Sequence, residues 1–135
     1  MVTYVLDSSA ILRFTDNEAG ADRVQRILDK YLDGTAHVAV SAIHWGEAAA
    51  RVYKLRGRDV MEKVLQRLQA MGIQIVPVTA EQAVTAALIR VDHKIPYVDA
   101  FGAEIASAPH HVFVTADFDL KPAAQIANIE FLPQK

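Results

Sequence analysis

Five acids stand where this chain has little structural need of charge. Asp7 follows the apolar run Tyr4-Val5-Leu6 and precedes Ser8, Ser9 and a run of helix formers. Glu47 lies inside SAIHWGEAAA, Asp99 inside IPYVDAFGAEIASA, and Asp117 and Asp119 follow Val112-Phe113-Val114-Thr115. Carboxylates brought together without cations raise one another's pKa, and desolvation adds to that cost, so a gathered set calls for a positive partner. Oxygen-only donors suit a hard divalent ion, Mg²⁺ or Mn²⁺, rather than zinc. Such ions activate water and neutralise charge on a phosphoryl group undergoing in-line displacement. Each acid also has an ordinary use. Asp7 and Asp117 suit helix N-caps, Asp99 suits a first turn opened by Pro96, and Glu47 can pair with Arg51 one turn on.

The elements that must position these acids alternate. Short runs rich in valine and isoleucine predict strands near 2–6, 37–40, 74–78, 111–115 and 129–132. Helical periodicity fills the gaps, as in AGADRVQRILDKYLDG, closed by Gly34, and AEQAVTAALIRVDHK, with Thr79 as its N-cap. Strands alternating with helices imply a largely parallel sheet covered on both faces. If the first and fourth strands are neighbours with their helices on opposite faces, Asp7 and Asp117 flank the switch-point crevice at the carboxyl edge, where such folds bind ligands. Between the second and third strands, SAIHWGEAAARVYKLRG and RDVMEKVLQRLQAMG form a helical pair, an arm able to project past the sheet and meet a partner. Glu47 shares a helical face with Ile43 and Ala50, off any obvious solvated stripe, and Gly46 beside it implies a packing or access requirement. Asp99 shares its face with the small Gly102, Ala103 and Ala106, which leave room around the carboxylate.

The chain has 135 residues, a net charge of −2 and no cysteine. That is the length of a single domain spanning 1–135, with no thiol chemistry, and the lack of cysteine fits a reducing, cytoplasmic setting. No leader or membrane-length apolar stretch is expected. The net charge argues against a globally basic nucleic-acid binder, but six of the fourteen basic residues, including Arg51, Lys54, Arg56 and Arg58, fall within RVYKLRGRDVMEKVLQR. This stretch could follow a phosphate backbone or serve simply as a solvated helix face.

Taken in order, VLDSSAIL, SAIHWGEAA, PYVDAFGAEIA and VFVTADFDL resemble the PIN-domain ribonucleases, specifically the VapC-type toxins of VapBC toxin–antitoxin pairs. The resemblance spans essentially the whole chain. It implies an α/β/α sandwich with a five-stranded parallel sheet of order 3-2-1-4-5 and a protruding helical pair. It implies a homodimer whose arms clasp a cognate VapB-type antitoxin, and metal-dependent endonucleolytic cleavage of RNA. By the same resemblance Asp7, Glu47, Asp99 and Asp117 are the acidic site, with Asp119 an additional metal candidate, and Ser9 and Thr115 are supporting hydroxyls. Leu120 departs from the aromatic residue the family often places after the last acid. On this reading Asp7, Asp99 and Asp117 hold one or two ions and Glu47 positions the nucleophilic water.

Other chemistries fit less well. A haloacid dehalogenase-type phosphatase needs a second acid where this chain has Ser9, and neither G-x-S-x-G, G-x-G-x-x-G nor a P-loop occurs. The histidines lack H-E-x-x-H or other zinc spacing and read as core or surface residues, with His93 near enough to Asp99 in sequence to meet RNA. The rival of a different class is a PIN-like module that binds a protein partner and cuts nothing. Retention of an electrostatically costly acid set argues against it.

Overall fold

The computed structural model describes Met1–Lys135. Five strands, β1 (Val2–Leu6), β2 (Ala36–Ser41), β3 (Gln74–Val76), β4 (His111–Thr115) and β5 (Asn128–Phe131), form one sheet of order β3-β2-β1-β4-β5. Every adjacent pair is parallel, with Val5 opposite Ala39 on one side and Phe113 on the other. The fold is therefore the α/β class and strand order the resemblance implies. β3 stops at Val76, short of the expected Val78, because Pro77 has no N–H for the ladder and Thr79 already caps the next helix.

Alternation along the central strands separates two cores. Tyr4, Leu6, Val38, Val40 and Val114 face the helices α1 (Ser8–Thr15) and α2 (Ala21–Leu32), joined by Leu68 of α4 (Arg58–Ala70). Val5 and Phe113 face the opposite way, into α5 (Ala80–His93), α6 (Tyr97–Ala106) and the 3₁₀ segment Phe118–Gln125. The chain thus leaves β1 toward one face and enters β4 from the other, which makes the β1/β4 boundary the switch point.

α3 (Ala42–Arg56) belongs to neither layer alone. Ser41 caps it through a bond from the Ile43 amide, and His44, Ala48 and Val52, spaced four apart, form its buried line. Ala48 joins the first core while Ile43 packs on the second, so α3 bridges the two layers. From Tyr53 to Asp59 every residue is exposed, and Gly57, at φ +87°, makes the turn into α4. This is the tip of the expected arm.

Arg23 of α2 clamps the edge strand β5: its guanidinium donates to both carboxylate oxygens of Glu130, at 2.6 and 2.9 Å, and lies over the Tyr4 ring. Those bonds hold the guanidinium pKa above its ordinary range. Both side chains are less than one-third exposed, and the fork geometry makes this pair worth more than an ordinary surface bridge. Glu130→Gln is expected to cost about 1 kcal/mol and lower the melting temperature by about 3–6 °C, measured by calorimetry.

Candidate metal centre

Asp7 is the residue on which the crevice is built. It leaves β1 with extended backbone (φ −90°, ψ 178°) and caps α1. Its amide donates to the Val114 carbonyl at 3.2 Å, tying the turn to β4. Oδ1 accepts from the Ser9 hydroxyl at 2.6 Å and from the Ala10 amide at 2.9 Å, and Oδ2 accepts from the Thr115 hydroxyl at 2.5 Å. Oδ1 is saturated and Oδ2 retains one lone pair. The side-chain environment is dry: Asp7 is 2% exposed. Burial raises its pKa, while the Ser9 and Thr115 bonds, the nearby His44 ring and the Ala10 bond pull it down by less.

Ser9 and Thr115 are shared between the two strand ends. The Ser9 hydroxyl accepts from the Ala116 amide at 2.9 Å and the Thr115 hydroxyl from the Asp117 amide at 3.0 Å. The expected supporting hydroxyls thus fix both the acid of β1 and the backbone that leads to the acid after β4.

The remaining acids follow one pattern. Asp99, in the first turn of α6, has Oδ1 bonded to His44 Nε2 at 2.9 Å. Asp117 caps the 3₁₀ segment, its Oδ1 accepting from the Asp119 amide at 2.9 Å. Glu47 Oε1 accepts from the Ser8 hydroxyl at 2.7 Å. In each case the protein holds one carboxylate oxygen and makes no hydrogen bond to the other. The structural and chemical uses of Asp7, Asp99 and Asp117 therefore coexist.

Two details depart from expectation. Glu47 is exposed, because the buried line of α3 runs through His44, Ala48 and Val52 and leaves position 47 on its flank. It forms no ion pair with Arg51, which lines a cleft with Ser9, Leu12, Arg13, Asp16 and Glu18. Gly46 has no packing reason, since a Cβ there would meet open space; clearance beside Glu47 remains its only spatial effect. Asp119 is also exposed. On the arm, Arg56 pairs with Asp16 at 3.2 Å and Arg58 reaches Glu62 at 3.9 Å, while Arg51 and Lys54 are exposed without an ion pair.

His44 is the site residue that sequence reasoning missed. It is fully buried, and its spacing from Glu47, three residues on the same helix, was the available signal. His93 instead meets Gln125 at 2.9 Å.

The donor set suits a hard divalent ion in kind: Asp99, Asp117 and Glu47 each have an oxygen outside the protein's own hydrogen bonding, and Asp7 keeps one lone pair on Oδ2. No three of these side chains close into a complete ligand cluster. Mg²⁺ keeps several waters and takes one or two carboxylates plus substrate phosphate, so it does not require such a cluster.

A search of curated protein sequences finds no significant match. Solved structures match along nearly their whole length. VapBC2 from Rickettsia felis, bound to a promoter DNA fragment, aligns with TM-score 0.74 and 17% identity over 98% of this chain and 100% of that one. VapC20 from Mycobacterium tuberculosis, described as a sarcin-ricin loop cleaving toxin, aligns with TM-score 0.69 and 16% identity over 96% and 99%. FitAcB from Neisseria gonorrhoeae gives TM-score 0.66 and 22% identity over 94% and 96%.

Because the folded pKa of Asp7 lies above its ordinary 3.8, the unfolded chain releases this proton first as pH rises, and Asp7 costs the metal-free protein stability at neutral pH. Asp7→Asn without divalent ion is therefore expected to gain melting temperature relative to wild type as pH rises above the ordinary carboxylate value. A difference between the two that stays constant with pH would contradict this assignment of cost.

The PIN-domain family model matches residues 4–126, and with the sheet order and switch-point acids already described, the chain belongs to the PIN-domain family.

Proposed function

We propose that this chain is the toxin of a type II toxin–antitoxin pair, a VapC-type endoribonuclease dependent on Mg²⁺ or Mn²⁺, acting as one PIN domain over residues 1–135. The observation that carries the reading is the hydrogen-bonded link at the β1/β4 switch point, where the Thr115 hydroxyl bonds both the buried Asp7 carboxylate and the Asp117 amide, with Asp99 of α6 bonded separately to His44 of α3. Family membership and fold likeness to toxin–antitoxin structures support it.

Asp7, Asp99 and Asp117 would hold the ion, directly or through water, with Asp119 exposed beside them as a further candidate. When bound, the ion supplies a lowered pKa for a coordinated water and neutralises charge developing on the scissile phosphate. Ser9 and Thr115 keep Asp7 in one rotamer, so the carboxylate does not reorganise as the substrate arrives. Glu47, exposed and held through one oxygen by Ser8, can orient water and accept its proton with the other. Arg51, Lys54, Arg56 and Arg58 offer positive charge along the arm to an RNA backbone.

Partner surfaces accompany this site. Val84, Leu88 and Val91 are 62%, 60% and 71% exposed on one stripe of α5, an apolar face suited to a second copy in a homodimer. The exposed Tyr53 and Leu55 at the arm tip suit an antitoxin segment. No helix is long and apolar enough to cross a membrane. We place the protein in the cytoplasm on its lack of cysteine.

The test is cleavage of a mixed RNA pool by antitoxin-free protein, with Mg²⁺ and with chelator. The expected result is cleavage abolished by chelator and reduced about 100-fold or more by Asp99→Asn. Unchanged cleavage under chelator would contradict metal dependence. Antitoxin binding that persists without metal, with no cleavage of any RNA, would favour the protein-binding module instead.

A further inference from the structure

His44 has no exposed surface, although it carries two polar ring nitrogens. Nε2 contacts Asp99 Oδ1 at 2.9 Å, and Nδ1 has no hydrogen-bond partner. The ring stacks against Phe113 with centroids 6.3 Å apart and planes inclined by 29°. Gly102 makes the space: a Cβ there would lie 2.9 Å from His44 Cε1 and 2.9 Å from Phe113 Cε1. α3, α6 and β4 therefore build this pocket around an imidazole.

The pocket is costly as a space-filling device. An orphaned buried nitrogen loses its hydration with nothing in return, and a helical glycine is less favourable than alanine. Leucine or methionine would fill much of the same volume with no orphan. What an apolar residue cannot do is donate to Asp99. A carboxylate only accepts, so Nε2 carries the hydrogen of this bond, while Nδ1 is left without a partner. The bond holds Oδ1, and Oδ2 of Asp99 makes no hydrogen bond to the protein.

We propose that His44 is a positioning residue that anchors Asp99 through Oδ1 so that Oδ2 faces the divalent ion. This role rests on the metal-dependent reading above. Outer partners of metal-bound carboxylates orient them, and their loss costs about 10–100-fold in affinity.

The experiment is a Mn²⁺ titration by calorimetry of wild type, His44→Met and His44→Gln, with folding checked by thermal melting. Methionine keeps the bulk without a donor, whereas glutamine places an N–H at a reach close to that of Nε2. Expected are a loss of about 10–100-fold in Mn²⁺ affinity for H44M and recovery to within about threefold of wild type for H44Q. Equal binding by wild type and H44M overturns the proposal alone, as does H44Q binding as weakly as H44M. No Mn²⁺ binding by folded wild type overturns this role, which needs an ion held by the protein's own residues, and leaves the metal reading to the chelator test above. Should H44M fail to fold, the wild-type His44 Nε2–H resonance decides: a shift on adding Mg²⁺ supports the proposal and an unmoved signal overturns it.

Discussion

An ionisable carboxylate buried at the end of the first strand is the constraint around which this molecule is arranged. Asp7 is 2% exposed, and taking a carboxylate out of water is costly unless its oxygens are hydrogen-bonded. Three donors answer that need, and they come from both sides of the crevice: Ser9 and Ala10 from α1, Thr115 from β4. The bonds compensate only in part, since the pKa of Asp7 still lies above the ordinary carboxylate value. A residual cost of that sign is one that a cation placed beside Asp7 would lower.

The topology makes this arrangement accessible. With β1 and β4 adjacent and their helices on opposite faces, two strand ends meet at the switch point, where Asp7 and Thr115 are buried side by side. α3 crosses from one core to the other at that end of the sheet. It brings His44 under Asp99 and Glu47 within reach of Ser8, so the helix that begins the arm also supplies the crevice.

Much of this could be read from residue types. Tyr4-Val5-Leu6 and Val112-Phe113-Val114 are apolar on both faces, as central parallel strands must be, and each ends in an acid, so β1, β4 and their turns were recognisable before the fold was seen. Thr79 and Pro96 marked the starts of α5 and α6 through local chemistry. Tertiary facts were harder. The exposure of Glu47 depends on which side of α3 meets α6, and its neighbours Ile43 and Ala50 do not encode that. His44 looked like any core histidine, because its purpose lies fifty-five residues away at Asp99 and is visible only when Gly102 and Phe113 frame the ring. The strand order itself followed from family resemblance rather than periodicity, since parallel pairing leaves no mark on spacing.

The most direct measurement of the central claim is the anomalous-scattering map of crystals grown with Mn²⁺. The account predicts a peak at the β1/β4 switch point coordinated by Asp7 Oδ2, through its remaining lone pair, and by the unbonded oxygens of Asp99 and Asp117, directly or through one water. A well-ordered crevice with no peak, in crystals whose RNA-cleaving activity persists, would contradict it.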